Sequence, residues 1–496
     1  MPKTEQKKYV LAIDQGTTST RAMIFYRDGK ILYKSQQEVQ CFFPHDGWVE
    51  QNAIDVWLSV LDVINDCLAK TNLTYENIDC IGLTNQRETT IVWDKKTGMP
   101  VYNAVVWQSR QSLDICNSWS KYKELIHDKT GLILNPYFSA SKIRFILDHI
   151  KDGQKRAEKG ELLCGTIDTW VMYKLSKGKI FKTDITNASR TMCFNINTLK
   201  WDDELLKIYN IPKSMLAEVV PSSHYFGDAD ALVNGLKICG VAGDQQAALF
   251  GQNCFEPGES KNTYGTGCFM LMNIGDKPIL SKNGLLTTIA WQIGDKVTYA
   301  FEGSIFIGGA CVQWLRDQMR MIKHSSDSET YAKKVPNELG VYVVPAFVGL
   351  GAPYWDDECR GGVFGLTRAT TKEHFIRATL NSIALQSKDL VVAMEKECGK
   401  KLKTLKVDGG ATTNGYLMQY QADILHCKVM LPNCLETTAL GAAYLAGLEN
   451  KYWNSIDDIR KIHKYKKEYL PKMSKEEIVV IDKKWAKAIE AVRVFK

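Results

Sequence analysis

Several common signals are missing from this sequence. It has no Cys-x-x-Cys pair, no Gly-Lys followed by Ser or Thr, and no Gly-x-Gly-x-x-Gly. The second absence excludes the usual P-loop and the third the dinucleotide fingerprint. No apolar run approaches the ~20 residues that span a bilayer, so no membrane insertion is expected. The eight histidines show no metal-ligand spacing, which argues against a structural zinc site. The fourteen cysteines are scattered, many among apolar neighbours such as Cys80 and Cys239. They read as free thiols filling core positions in a reducing compartment. The opening "MPKTEQKKYVLAID" has only a short apolar stretch that runs into Asp14, which is not the shape of a secretory leader. A cytoplasmic protein is expected.

With 496 residues the chain is too long for one hydrophobic core, so two large domains or three small ones are expected. Its 45% hydrophobic and 24% charged residues are ordinary for a globular protein. The net charge of +7 owes much to a lysine-rich tail, "KIHKYKKEYLPK" (461–472). That tail reads as a solvated surface, and no nucleic-acid partner is expected.

Residues 8–40 predict three strands, "KYVLAID", "TRAMIFYR" and "ILYKSQQ", with Asp28-Gly29 as a hairpin signal. "AIDVWLSVLDVINDCLAK" (53–70) predicts a helix with Ile54, Trp57, Leu58, Leu61, Ile64 and Leu68 on one face. "NIDCIGLTNQRETTIVWD" (77–94) predicts two strands around a polar interruption, and "SASKIRFILDHI" (139–150) a helix. A second start follows. "ESKNTYGTGCFMLMNIGDKPIL" (259–280) has a strand, a Gly-Thr-Gly turn, an apolar strand, a Gly-Asp turn and a third strand. This rhythm suggests a duplicated α/β fold with a boundary near the turn-rich residues 252–259, giving domains 1–252 and 253–496.

Three segments share one local grammar of strand, acidic or small residue, glycine and tight turn: "AIDQGTTSTR" (12–21), "VAGDQQAALFG" (241–251) and "LKVDGGATTNG" (405–415). Small residues let backbone N–H groups approach an anion, and Ser or Thr adds hydroxyl donors. A carboxylate at the strand end repels phosphate but can hold Mg²⁺, which in turn holds phosphate. The alternative is that each Asp is simply a turn former. "LTNQRETT" (83–90) gathers Asn, Gln, Arg and Glu at a strand end. It reads either as a surface loop with an Arg–Glu ion pair or as a site for a small polyol, whose hydroxyls need both donors and acceptors.

The order of the three Asp-Gly segments resembles the actin-like ATPase fold and, within it, the carbohydrate (FGGY) and polyol kinases, especially those acting on glycerol. "YFSASKIRFILDH" (137–149) resembles one signature of the family, with Phe145 where Trp is usual. "GVFGLTRATTKEHFIRATLN" (362–381) resembles the other, with Asn381 where an acidic residue is usual. The resemblance covers roughly residues 8–450. It implies two similar actin-like, ribonuclease H-like domains, each a mixed sheet flanked by helices, with an interdomain cleft.

The resemblance also implies transfer of the γ-phosphoryl group of ATP to a primary hydroxyl of glycerol, with Mg²⁺ as cofactor. Asp244 matches the catalytic base. Arg87, Glu88, Tyr137, Asp244 and Gln245 match glycerol contacts, and Trp107 and Phe269 an aromatic wall against its carbons. Thr17, Thr18, Ser19, Arg21 and Thr266 match phosphate contacts. Gly309, Gln313, Gly410 and Asn414 match other nucleotide contacts. Asp14, with Asp244 close by, matches the metal position. The family tends to form homodimers or larger assemblies. Two rival readings share the fold: a kinase for another polyol or sugar such as xylulose, and an ATPase of the actin or chaperone kind.

Overall fold

The computed structural model describes residues 9–495. Lys8 of the first predicted strand and residues 1–8 of the segment read against a leader lie outside them. In the first half, β1 (Tyr9–Gln15), β2 (Ser19–Phe25) and β3 (Ile31–Glu38) form an antiparallel meander. Next come β4 (Ile78–Asn85), β5 (Ser223–Asp228) and β6 (Lys237–Gly243). β4 pairs in parallel with both β1 and β6, and β5 runs antiparallel to β6. The strands β1, β4 and β6 are near-continuous apolar runs because both faces of this part of the sheet are covered.

The second half repeats the plan. Its strands are β7 (Ser260–Tyr264), β8 (Cys268–Gly275), β9 (Leu286–Ile293), β10 (Lys296–Ile305), β11 (Thr404–Asp408), β12 (Lys428–Pro432) and β13 (Tyr465–Tyr469). As with β1, β7 lies between an antiparallel hairpin partner, β8, and a parallel strand, β11. The halves join into one thirteen-stranded mixed sheet, β13-β12-β11-β7-β8-β10-β9-β5-β6-β4-β1-β2-β3. The junction is a single pairing of Ser223 with Ile293.

Two expectations are corrected. Helix Ala53–Thr71 forms as predicted, capped by Asn52, but Leu58 is 47% exposed. The buried stripe runs through Val56, Val60, Val63 and Cys67, and Leu58 falls on the opposite side. The strand predicted directly after Gly275-Asp276 is instead a loop, and the next strand starts at Leu286. Pro278 can donate no ladder bond there. Glu397 then holds the loop by accepting from the N–H groups of Lys282 and Asn283 and the hydroxyl of Ser281.

The halves also share a helix. Thr437–Glu449, late in the chain, packs on β4, β6 and helix Asp244–Gly251 of the first half. Glycines permit the approach: a Cβ on Gly82 would sit 2.3 Å from the Ala442 carbonyl oxygen, and one on Gly240 2.3 Å from the Ala446 nitrogen.

Register groups the chemistry. Gln15, Asn85 and Gly243 are level across β1, β4 and β6. Asp14, Arg87 and Asp244 therefore meet at the carboxyl ends of three parallel strands, where ligands bind in open α/β sheets. In the second half Thr263 pairs with Asp408, bringing the 265–267 turn beside residues 409–414.

Candidate active site

Arg87 and Glu88 follow the last residues of β4 and are both buried. They share no hydrogen bond and form only a long ion pair, with Arg87 Nε 3.9 Å from Glu88 Oε1. Arg87 instead donates through Nη1 and Nη2 to the two Glu302 oxygens at 2.5 and 3.0 Å, and its Nε lies 3.0 Å from Asp244 Oδ1. Glu88 accepts from Arg190 Nε at 2.6 Å, and Arg190 Nη2 donates to Glu302 at 3.0 Å. The surface-loop reading of "LTNQRETT" is thereby corrected: the segment is interior, and its charges are matched from elsewhere. Burial pushes the Glu302 carboxyl up, but Arg190 and Arg87 outweigh it and hold the group at about 2. Burial raises the Glu88 carboxyl, against the pull of Arg190 and Arg87.

Asp244 is the first residue of helix Asp244–Gly251, so the segment "VAGDQQ" turns from strand into helix without the tight turn expected of it. Asp244 Oδ1 accepts from the Gln245 backbone N–H, and Oδ2 accepts weakly from the Gln245 side chain at 3.2 Å. The Asp244 side chain is 31% exposed against 2% for Arg87, so its carboxylate can reach a substrate hydroxyl. Gln245 is fixed by the buried Lys261, which also donates to Thr263 Oγ1 and the Phe269 carbonyl. Burial lowers the Lys261 amine to about 8, against the pull of Asp408 and Asp244.

An aromatic wall stands across from these groups. Trp107 meets Tyr137 edge to face with centroids 5.5 Å apart, and meets Phe269 of the second half at 6.4 Å. The loop carrying Tyr137 is held by Lys142, a buried lysine whose ammonium donates to the carbonyls of Pro136, Tyr137 and Phe138. Trp107 Nε1–H also donates to Thr17 Oγ1 at 2.8 Å, which ties the wall to the hairpin after Asp14.

That hairpin joins β1 to β2 and carries Thr17, Thr18, Ser19 and Arg21. Asp14 sits at its base, with Arg21 Nη1 at 3.7 Å. Burial raises the Asp14 carboxyl to about 7. Arg21 opposes this, and the neighbouring charges of Asp244 and Glu436 add to it. A buried carboxylate that feels a second carboxylate is the environment a divalent cation relieves. Among the described residues no group of three or more His, Cys, Asp or Glu could hold a metal by itself. Asp14 and Asp244 thus fit a Mg²⁺ that takes its other ligands from phosphate and water.

The 265–267 turn carries Thr266 and seats helix Ala310–Asp317: Gly309 N–H donates to the Gly265 carbonyl, and Ala310 N–H to that of Thr266. Gln313 is exposed one turn into this helix. Gly410 has no atom within 4 Å of where a Cβ would sit, leaving room for a ligand against the backbone. Asn414 caps helix Gly415–Leu425 by accepting from Leu417 N–H at 3.0 Å, and its amide donates to Ser328.

Sequence reasoning missed Arg190, Glu302, Lys261 and Lys142. Glu302 did leave a trace, as the lone carboxylate in the apolar run "VTYAFEGSIF" (297–306). Arg190, in "ITNASRTMCF" (185–194), left none.

Known proteins share this architecture. Residues 9–251 match the N-terminal domain of the FGGY family of carbohydrate kinases, and residues 260–449 its C-terminal domain. A glycerol kinase of Geobacillus sp. (strain WCH70) is 56% identical over 99% of this chain and 100% of its own length. One of Listeria monocytogenes (serovar 1/2a) is 55% identical with the same coverage. Among solved structures, Plasmodium falciparum glycerol kinase with ADP superposes with a TM-score of 0.92 at 36% identity, covering 98% of both chains. A xylulose kinase from Lactobacillus acidophilus shares the fold, with a TM-score of 0.87 at 21% identity over 98% of this chain and 97% of its own. On its sequence and on its architecture, the chain belongs to the FGGY family of carbohydrate kinases.

Proposed function

We propose that this kinase transfers the γ-phosphoryl group of ATP to a primary hydroxyl of glycerol, giving sn-glycerol 3-phosphate and ADP. The observation that carries the reading is the buried juxtaposition of Arg87 and Glu88 beside Asp244, with no hydrogen bond between the Arg and the Glu. It supplies a donor, an acceptor and a base within one pocket. The full-length similarity to proteins named glycerol kinase supports the same acceptor. Arg87, Glu88, Tyr137 and Gln245 hold the hydroxyls, and Trp107 and Phe269 pack against the carbons.

A phosphoryl transition state is loose, so positioning and charge neutralisation dominate. Asp244 accepts the proton of the attacking hydroxyl while Arg87 orients its carboxylate. Thr17, Thr18, Ser19, Arg21 and Thr266 face the β- and γ-phosphates from two hairpins. Gly309, Gln313, Gly410 and Asn414 form the remaining nucleotide surface. Asp14 and Asp244 would hold Mg²⁺, which would neutralise phosphate charge. The division at 252/253, a cleft that closes over both ligands, a cytoplasmic location and assembly as a homodimer or larger belong to the same reading. Among the described residues no helix is long and apolar enough to cross a membrane.

The test is a coupled ADP-release assay with Mg²⁺-ATP over a panel of polyols and sugars. Glycerol should give the highest kcat/KM. A preference for xylulose or another sugar, or ADP release with no phosphorylated product, would overturn the assignment.

A further inference from the structure

We propose that Glu302 and Arg190 are positioning residues that keep Arg87 and Glu88 from closing on each other, so that each is placed to meet a substrate hydroxyl. The proposal rests on the polyol reading above. Adjacent Arg and Glu side chains shielded from water attract each other strongly. Left alone they would close from their long contact into a short, hydrogen-bonded ion pair and use up the donors and acceptor that a polyol needs. Two features prevent this. The first is backbone: Glu88 has φ of 58°, a left-handed conformation unusual for a residue with a side chain, and Thr89 N–H bonds back to the Arg87 carbonyl at 2.6 Å. Such backbone concentrates at working sites and is held there by the surrounding structure.

The second feature is a ring of alternating charge that closes only through the long Arg87–Glu88 contact. Glu302 takes Arg87 through both Nη atoms; Arg190 takes Glu302 through Nη2 and Glu88 through Nε. The ring is neutral, with two positive and two negative members. Arg190 and Glu302 are both 0% exposed, so they form its outer side. Glu88 gives Oε1 to Arg190, which turns its second oxygen to the hydroxyl-binding role. Arg87, clamped at its far end by Glu302, presents Nε to the Asp244 side of the pocket. Glu302 lies on β10 in the second half, whereas the other three belong to the first. The polyol grip is thus completed by a residue 215 positions further along the chain than Arg87.

The experiment is steady-state kinetics of Glu302→Gln, which keeps the shape and removes the charge, with ADP binding by calorimetry as the check that the protein is folded. Arg87 then swings towards Glu88, and the glycerol KM should rise at least ~10-fold while the ATP KM stays within about twofold. The preference for glycerol over propane-1,2-diol in kcat/KM should shrink by a similar factor, because a pocket whose donor and acceptor have closed on each other no longer penalises a missing hydroxyl. Should Glu302→Gln fail to fold, Arg190→Lys, whose single ammonium cannot replace the two-pronged bridge, carries the same test. Unchanged KM values, or glycerol and ATP KM rising together, overturn the proposal. Wild-type turnover on the panel tests the activity itself. The variants are compared on whichever polyol the wild type prefers, so a failure of the glycerol assignment is told apart from a failure of the ring.

Discussion

Arg87, Glu88, Arg190 and Glu302 expose no more than 3% of their surface, whereas Thr18, Thr266, Gln313 and Gly410 on the proposed nucleotide face lie open. In the first region, charge is stored in the interior and balanced by geometry before any ligand arrives. In the second, the polypeptide offers backbone turns and helix starts whose side chains do modest local work, such as the cap that Asn414 forms. The lesson is that a small neutral triol must be recognised by preorganised, desolvated groups. A highly charged nucleotide brings its own strong interactions and needs mostly an accessible frame.

The contrast can be broken most sharply at Asp244, whose side chain is more exposed than those of Asp14, Glu88 and Glu302. Asp244→Asn should abolish turnover while leaving ADP binding, read by calorimetry, within a fewfold of wild type; near-normal kcat would remove Asp244 from the base role. Next in size is Arg87→Ala. It should raise the glycerol KM roughly 100-fold with little change for ATP, and lower stability by ~3–5 kcal/mol because it leaves buried Glu302 short of a partner. Parallel rises in the two KM values would erase the distinction between the regions.

A third test reads the buried charge directly. Glu302 is held at about 2, below its ordinary 4.5. Its contribution is therefore fully present above pH 4.5 and lost as pH falls towards 2. Denaturant melts should show the gap between wild type and Glu302→Gln narrowing across that window by on the order of 3 kcal/mol. A gap constant with pH would mean that the carboxylate is not stabilised by its arginines. The smallest effect belongs to the open face. Asn414→Ala should cost about 1 kcal/mol by loss of a helix cap and raise the ATP KM only a fewfold, without touching that for glycerol. A large glycerol effect there would contradict the separation.

How much of this was legible in the sequence depended on range. The meander after Tyr9 was readable because its apolar runs break on turn residues, and Asp14 was placed by the run that ends on it. The family resemblance implies one pocket for Arg87, Glu88, Tyr137 and Asp244. The partners of those residues were not readable, because pairing between charges a hundred or more positions apart leaves no local period. Leu58 was misjudged because helical spacing fixes relative angles but not which arc faces the sheet. The strand after Gly275 was placed too early because the hold of Glu397 on residues 281–283 is a tertiary contact, invisible to turn grammar.

Helix Thr437–Glu449 has a consequence for how the molecule is made. A nascent chain that has just released residue 252 has every strand of its first half, yet the strip over Gly82 and Gly240 is an empty seat for residues still to be translated. The first half can be completed only when nearly the whole protein has left the ribosome. Until then its bare apolar strip is what chaperones, or a neighbouring half-made copy, would meet.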